Sequence, residues 1–185
     1  MGKIINILGP HGVGKTTLQN YIRDNSLGIV AEGFILPIKG FNLGDPDEYV
    51  KYERTYLEPI NEQNRMIQNA SVNGYVIRSI EEVEYFLQTH TPSVDEGKIR
   101  KIIDNESNIL CDLIIYLDSE KAVLDERIAG DIIRDQVETT DWYANDYEKY
   151  DHFWKNYSRT HVIDTTNRSV KEVFEEIINL INKLK

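Results

Sequence analysis

Near the amino terminus, Gly9-Pro10-His11-Gly12-Val13-Gly14-Lys15-Thr16 has the spacing GxxxxGK[ST], between the apolar run Ile4 to Leu8 and a helix-like stretch from Thr17 to Asp24. No other feature constrains the chain as much, because this spacing belongs to a buried strand, a glycine-rich turn and a helix start. The glycines let successive backbone N–H groups turn inward onto phosphate oxygens. Lys15 can then reach the β and γ phosphates, and the Thr16 hydroxyl can ligate magnesium. The segment predicts a nucleoside triphosphate site formed by Gly9, His11, Gly12, Val13, Gly14, Lys15, Thr16 and Thr17, taking ATP and magnesium. No catalytic role falls to His11.

Length and charge narrow what surrounds that site. A chain of 185 residues suffices for one α/β domain with a sizeable core. The formal net charge of −10 argues against wrapping a nucleic acid polymer, whose phosphates are bound by surplus Lys and Arg. The single cysteine, Cys111, sits in the apolar run Leu110 to Leu117 and reads as a buried small hydrophobe. The four histidines, His11, His90, His152 and His161, show no metal-ligand spacing. No signal-peptide pattern precedes Ile4, and no apolar run approaches the length of a membrane span, so a soluble, cytoplasmic protein without a membrane partner is expected.

Short apolar runs alternate with helical periods along the chain. Strands are predicted at Ile4 to Leu8, Gly28 to Ala31, Tyr75 to Ile77, Leu110 to Leu117 and Val162 to Asp164. Helices are predicted at about Lys15 to Asp24, Asp47 to Ala70, Ile80 to Thr89, Glu96 to Ile109, Glu120 to Ala129, Trp142 to Tyr157 and Val170 to Leu184. That alternation, with apolar strands, is the signature of an α/β fold with a doubly wound parallel sheet. Phe34 to Pro46 is rich in Gly and Pro and suits an active-site loop better than a linker. One domain spanning residues 1–185 is expected.

Ligands of such sheets bind beyond the carboxyl ends of the strands. Three predicted ends carry polar groups: Glu32 after the second strand, Arg78 and Ser79 after the third, and Asp118 after the fourth. Asp118 reads as structural, ahead of a helix. On a continuous helix from Asp47 to Ala70, Tyr49, Tyr56 and Gln63 recur every seven residues, as do Glu53, Ile60 and Ile67. This puts Gln63 on a largely apolar face, where its amide needs partners. Tyr52 and Tyr56 can stack on a base, although tyrosines at helical spacing are more often core. Tyr143, Tyr147, Tyr150, Trp154 and Tyr157 form a stripe that reads as packing, in a core or a dimer interface.

The order of these features resembles the deoxynucleoside kinase family, within the wider group that includes the thymidylate kinases: phosphate loop, Glu32, a helix carrying Gln63, the pair Arg78-Ser79, then Leu124-Asp125-Glu126-Arg127-Ile128 and Arg134. The resemblance runs from Ile4 to about Thr166. It implies a three-layer fold with a five-stranded parallel sheet flanked by helices, and an arginine-bearing lid at about 127–140. It also implies Glu32 as the base, Arg78 on the acceptor and transition state, Gln63 on the nucleobase edge, and Arg127 and Arg134 closing over the triphosphate.

A sugar hydroxyl is a poor nucleophile, so a carboxylate in reach gives Glu32 an independent rationale. The family has an acidic residue directly before its Arg-Ser pair. This chain has Ile77, with Glu81 and Glu82 as candidate substitutes. Thr165 to Arg168 would border the donor's adenine. The expected activity is ATP-dependent phosphotransfer to a (deoxy)nucleoside, with a small-molecule substrate and a homodimer as the partner state. A monophosphate kinase of thymidylate kinase type is the alternative, with Arg54, Arg65 and Arg78 as the cations for an acceptor phosphate. A regulatory module that binds nucleotide without transferring phosphate is a third reading.

Overall fold

The computed structural model describes residues 1–31, 40–129 and 142–184, the last with backbone alone for 142–147. Five strands, β1 (Ile4–Leu8), β2 (Ile29–Ala31), β3 (Gly74–Val76), β4 (Leu113–Asp118) and β5 (Thr160–Asp164), form one parallel sheet in the order β2-β3-β1-β4-β5. Eight helices are described: α1 (Lys15–Asp24), α2 (Pro46–Arg54), α3 (Leu57–Asn69), α4 (Ile80–His90), α5 (Glu96–Ile103), α6 (Lys121–Ala129), α7 (Trp142–Asn156) and α8 (Val170–Ile181). The expected α/β class and five-stranded parallel sheet are both present. Every residue of β1 is buried, and all of β4 but its terminal Asp118. Runs such as Ile-Ile-Asn-Ile-Leu and Leu-Ile-Ile-Tyr-Leu therefore form central strands covered on both faces.

The chain divides into two compact units. The first comprises Met1–Asn6 and Ala31–Asp112, the second Ile7–Val30 and Leu113–Lys185. In the first, β1 and β3 pair from Ile4↔Gly74 to Asn6↔Val76. Asp112 fastens the start of β1, its carboxylate accepting from the Ile4 N–H at 2.8 Å and pairing with Lys3 at 3.2 Å. In the second, β4 and β5 pair from Ile114↔Thr160 to Asp118↔Asp164. There Trp154 on α7 is fully buried, with Tyr150 and Phe153 rings 6.1 and 4.9 Å away, so this part of the aromatic stripe is core. Cys111 is also buried, as expected.

Two predicted helices are shorter in the structure, each for a local reason. The expected helix from Asp47 to Ala70 is two helices, α2 and α3, broken at Thr55-Tyr56. Pro59 has no N–H, and its ring would clash with the carbonyl of Thr55 in a continuous helix; in the first turn of α3 neither matters. Tyr49 consequently lies on α2 and Gln63 on α3, with Tyr56 at the junction as the N-cap of α3. The helix expected from Glu96 to Ile109 ends at Ile103, because the Asn108 amide donates to the carbonyls of Ile102 (2.8 Å) and Ile103 (2.9 Å). That side chain satisfies the orphan acceptors of the helix end. At the amino-terminal ends, Ser79 with Glu82 and Ser169 with Glu172 form capping boxes on α4 and α8.

Candidate active site

The phosphate loop lies in the second unit, between β1 and α1. Gly9, Gly12 and Gly14 take φ values of 139°, 75° and 100°, which side-chain-bearing residues rarely adopt. A Cβ on Gly9 would press into the Leu117 carbonyl at the end of β4. Gly14 caps α1 without any side-chain hydrogen bond, and the first turn from Lys15 to Thr17 lines a cavity, which puts the positive end of the helix dipole at that cavity. Thr165 on the loop after β5 donates to the carbonyls of Val13 at 3.2 Å and Asp118 at 2.9 Å, tying the loop to the sheet.

Lys15 is folded back on the loop. Its Nζ donates to the carbonyls of Gly9 at 2.6 Å and Pro10 at 2.8 Å. A cavity of about 440 Å³ opens over Gly12 to Thr17 and extends to Arg127, Thr165, Arg168 and the apolar Val170 and Val173. Its size falls in the range of small-molecule sites. Arg127 on α6 reaches the Gly12 and Thr165 carbonyls at 3.4 Å each. The exposed Thr16 lines the cavity, and Gly9 lies beneath the loop.

A second constellation forms in the first unit around Arg78, just after β3. Its guanidinium bonds the Glu53 carboxylate at 2.7 Å and lies over the rings of Tyr56 and Phe86, 4.4 and 4.5 Å from their centroids. Tyr52 and Tyr56 meet through their hydroxyls at 2.8 Å. Glu53 is 3% exposed, and burial raises its pKa against the opposing effects of Arg78 and a Tyr49 hydrogen bond. The same burial, followed by the charge of Glu53, pushes the Tyr49 hydroxyl far above its ordinary value. Glu82 is also buried, and desolvation pushes it up to about 7 although Arg78, the Ser79 N–H and Asn6 all favour its charged form. Asn6 in turn donates to the Ser79 hydroxyl at 2.8 Å.

No family model matches the chain. A curated protein of Methanothermobacter thermautotrophicus described as "Putative adenylate kinase" is 28% identical over 183 residues, covering 97% of this chain and 90% of that protein. Among solved structures, a deoxyadenosine kinase from M. mycoides with the products dCMP and dCDP bound superposes with a TM-score of 0.60 at 22% identity, covering 97% of this chain and 98% of that one. A thymidylate kinase from Ehrlichia chaffeensis gives 0.53 at 16% identity, covering 98% of each chain. The chain has the fold of the nucleoside and nucleotide kinases. The resemblance drawn from the motif order therefore holds at the level of the fold.

Within this kinase fold, the structure gathers Tyr52, Tyr56 and Arg78 into one cluster. Gln63 is half-buried on α3, two turns beyond Tyr56, and the buried amides of that helix are Asn61 and Asn64. Glu32 and Arg134 lie outside the described residues, as does most of the expected lid; Arg127 is described. Asp118 has a structural partner, Lys155, at 2.7 Å.

Of the candidate substitutes for Ile77, Glu81 accepts from the Cys111 N–H at 3.0 Å, and Glu82 closes the cap of α4. The carboxylate that meets Arg78 is Glu53, which motif reasoning passed over. Its signal was there, an acid in a seven-residue series with Ile60 and Ile67. Arg54 and Arg65 do not join Arg78; they line a different groove.

Proposed function

We propose that the protein is an ATP-dependent deoxynucleoside kinase, transferring the γ-phosphoryl group to the 5′-hydroxyl of a (deoxy)nucleoside. The observation that carries this reading is the glycine loop with its helix start lining the cavity, in a chain that follows the kinase fold over nearly its whole length. In this reading Lys15 exchanges the Gly9 and Pro10 carbonyls for the β and γ phosphates, and the first N–H groups of α1 hold phosphate oxygens. Magnesium fits the donor set, since the Thr16 hydroxyl is a hard oxygen open to the cavity and the phosphates supply others. When bound, the ion neutralises charge on the triphosphate. Arg127, joined by Arg134, adds positive charge where the transferring group spreads negative charge. Val170 and Val173 offer an apolar wall for the donor's adenine.

On the acceptor side, Glu32 takes the proton of the 5′-hydroxyl, Arg78 positions the acceptor oxygen, Gln63 reads the base edge, and Tyr52 and Tyr56 form its aromatic wall. The Arg78–Glu53 pair supports a neutral acceptor, because an incoming phosphate would have to displace a buried carboxylate from the same guanidinium. The monophosphate kinase alternative draws its support from the 28% identical relative described as an adenylate kinase. Glu32→Gln separates the two. Turnover on a nucleoside should fall roughly a hundredfold with ATP binding unchanged, whereas a monophosphate acceptor is already ionised, and wild-type-like turnover would remove Glu32 as base. The reading includes a cytoplasmic location and a homodimer, the latter open to sedimentation at micromolar concentration. Among the described residues no helix is long and apolar enough to cross a membrane.

A further inference from the structure

A second groove, in the first unit, has no part in the chemistry above. It encloses about 460 Å³ and shares no lining residue with the cavity over the phosphate loop. Four cations surround it: Arg54 from α2, Arg65 from α3, and Lys98 and Lys101 from α5. Lys98 pairs with Asp47 at 3.1 Å, both side chains being exposed. Arg54, Arg65 and Lys101 have no ion-pair partner among the described residues, and Glu58 is the one acid on the wall. The chain carries 31 acidic residues against 21 basic ones. Three cations without ion-pair partners, facing one acid around one hollow, therefore run against the average field and favour an anion there.

The floor is pre-organised. Asn61 donates to Asn108 at 3.0 Å and accepts from the Ile109 N–H at 2.7 Å, while the amide nitrogen of Asn108 is committed to the end of α5. Val50, Leu57 and Ile102 give the hollow an apolar side. Cations at the rim, a fixed polar floor, an apolar wall and a volume in the small-molecule range suit a phosphorylated metabolite with a flat apolar part. The overall charge of −10 disfavours a nucleic acid polymer as occupant.

We propose that this groove is a second phosphate-recognition site, which takes the polyphosphate of a nucleotide through Arg54, Arg65 and Lys101. Val50 and Leu57 on its wall also pack in the hydrophobic cluster that holds Tyr49, Tyr52 and Tyr56, and Arg54 follows Glu53 directly on α2. Occupancy thus bears on the element that supplies the partner of Arg78.

The test uses the full chain carrying Lys15→Ala, so that binding at the phosphate loop is weakened, and titrates it by calorimetry with ATP, tripolyphosphate and inorganic phosphate. Saturable binding is expected, tightening at low salt, and weakening at least tenfold when Arg65→Ser and Lys101→Ser are added. ATP binding tighter than tripolyphosphate identifies a nucleotide site; equal binding identifies the phosphates alone as the determinant. The two groove substitutions in the Lys15 chain should leave ATP binding at the loop intact, which reports a folded protein. Absence of saturable binding by any of the three anions, or an affinity unmoved by the groove substitutions, overturns the proposal.

Discussion

The phosphate loop of the second unit and the Arg78 cluster of the first solve the problem of holding charge in opposite ways. The loop does it with backbone: three glycines at positive φ, an uncapped helix start, and carbonyls that hold the Lys15 ammonium. The Arg78 cluster does it with side chains from separate elements. Glu53 comes from α2, Arg78 from the end of β3, and Glu82 and Phe86 from α4, with both carboxylates buried and Arg78 partly so. A backbone site carries its charge as fixed dipoles and stays folded when one side chain is lost. A buried ion network depends on each member, since removing one leaves another desolvated and unpaired. Donor-side substitutions should therefore disturb chemistry, and Arg78-side substitutions should disturb stability as well.

The largest expected effect tests the first half of that contrast. Lys15→Ala should lower phosphoryl transfer by about a thousandfold, while the midpoint of chemical denaturation stays near that of the parent. A large loss of stability would show that the lysine's contacts to Gly9 and Pro10 hold the loop together.

Arg78→Ala tests the second half. It should cost about 3–5 kcal/mol of unfolding free energy, measured in urea, because Glu53 is left buried without its cation. A change within a few tenths of a kcal/mol would mean that Glu53 simply takes up a proton, and the contrast between the units would fail.

The same contrast explains what could be read from the sequence. The loop is contiguous, so its spacing alone placed the glycine turn between β1 and α1, and Ile4 to Leu8 and Ile80 to Thr89 were legible from their periodicity. Glu53 was not, because an acid gains a functional neighbour only when α2 is brought against the end of β3, 25 residues further on. The broken helix was readable in principle: Pro59 lies where a continuous helix needs an N–H and room for a carbonyl. Seven-residue spacing outweighed it and made Gln63 look continuous with Tyr56. The early end of α5 depends on Asn108 folding back, a contact that helical periodicity does not encode.

A smaller effect sharpens the picture of the network. The Glu82 carboxyl is pushed up from 4.5 to about 7 by burial. The folded protein then holds a proton there that the unfolded chain releases. Its contribution to stability is full below about 4.5 and is lost as pH rises through about 7. Glu82→Gln should flatten the fall in stability between pH 4.5 and 7.5 by about 2–3 kcal/mol. Urea titrations of the two proteins across that range measure it; identical pH profiles would show that Glu82 is ionised throughout and that its capping bonds outweigh desolvation.

The measurement that bears most directly on the central claim is transfer of label from γ-labelled ATP to a panel of nucleosides and nucleoside monophosphates, with magnesium and beside a reaction without acceptor. The account predicts label on the 5′ position of at least one nucleoside, faster than on any monophosphate and absent when Lys15 is replaced by alanine. Labelling of a monophosphate alone would contradict the nucleoside assignment. ATP binding with no labelled product from any acceptor would contradict the kinase itself and leave a nucleotide-binding regulatory module.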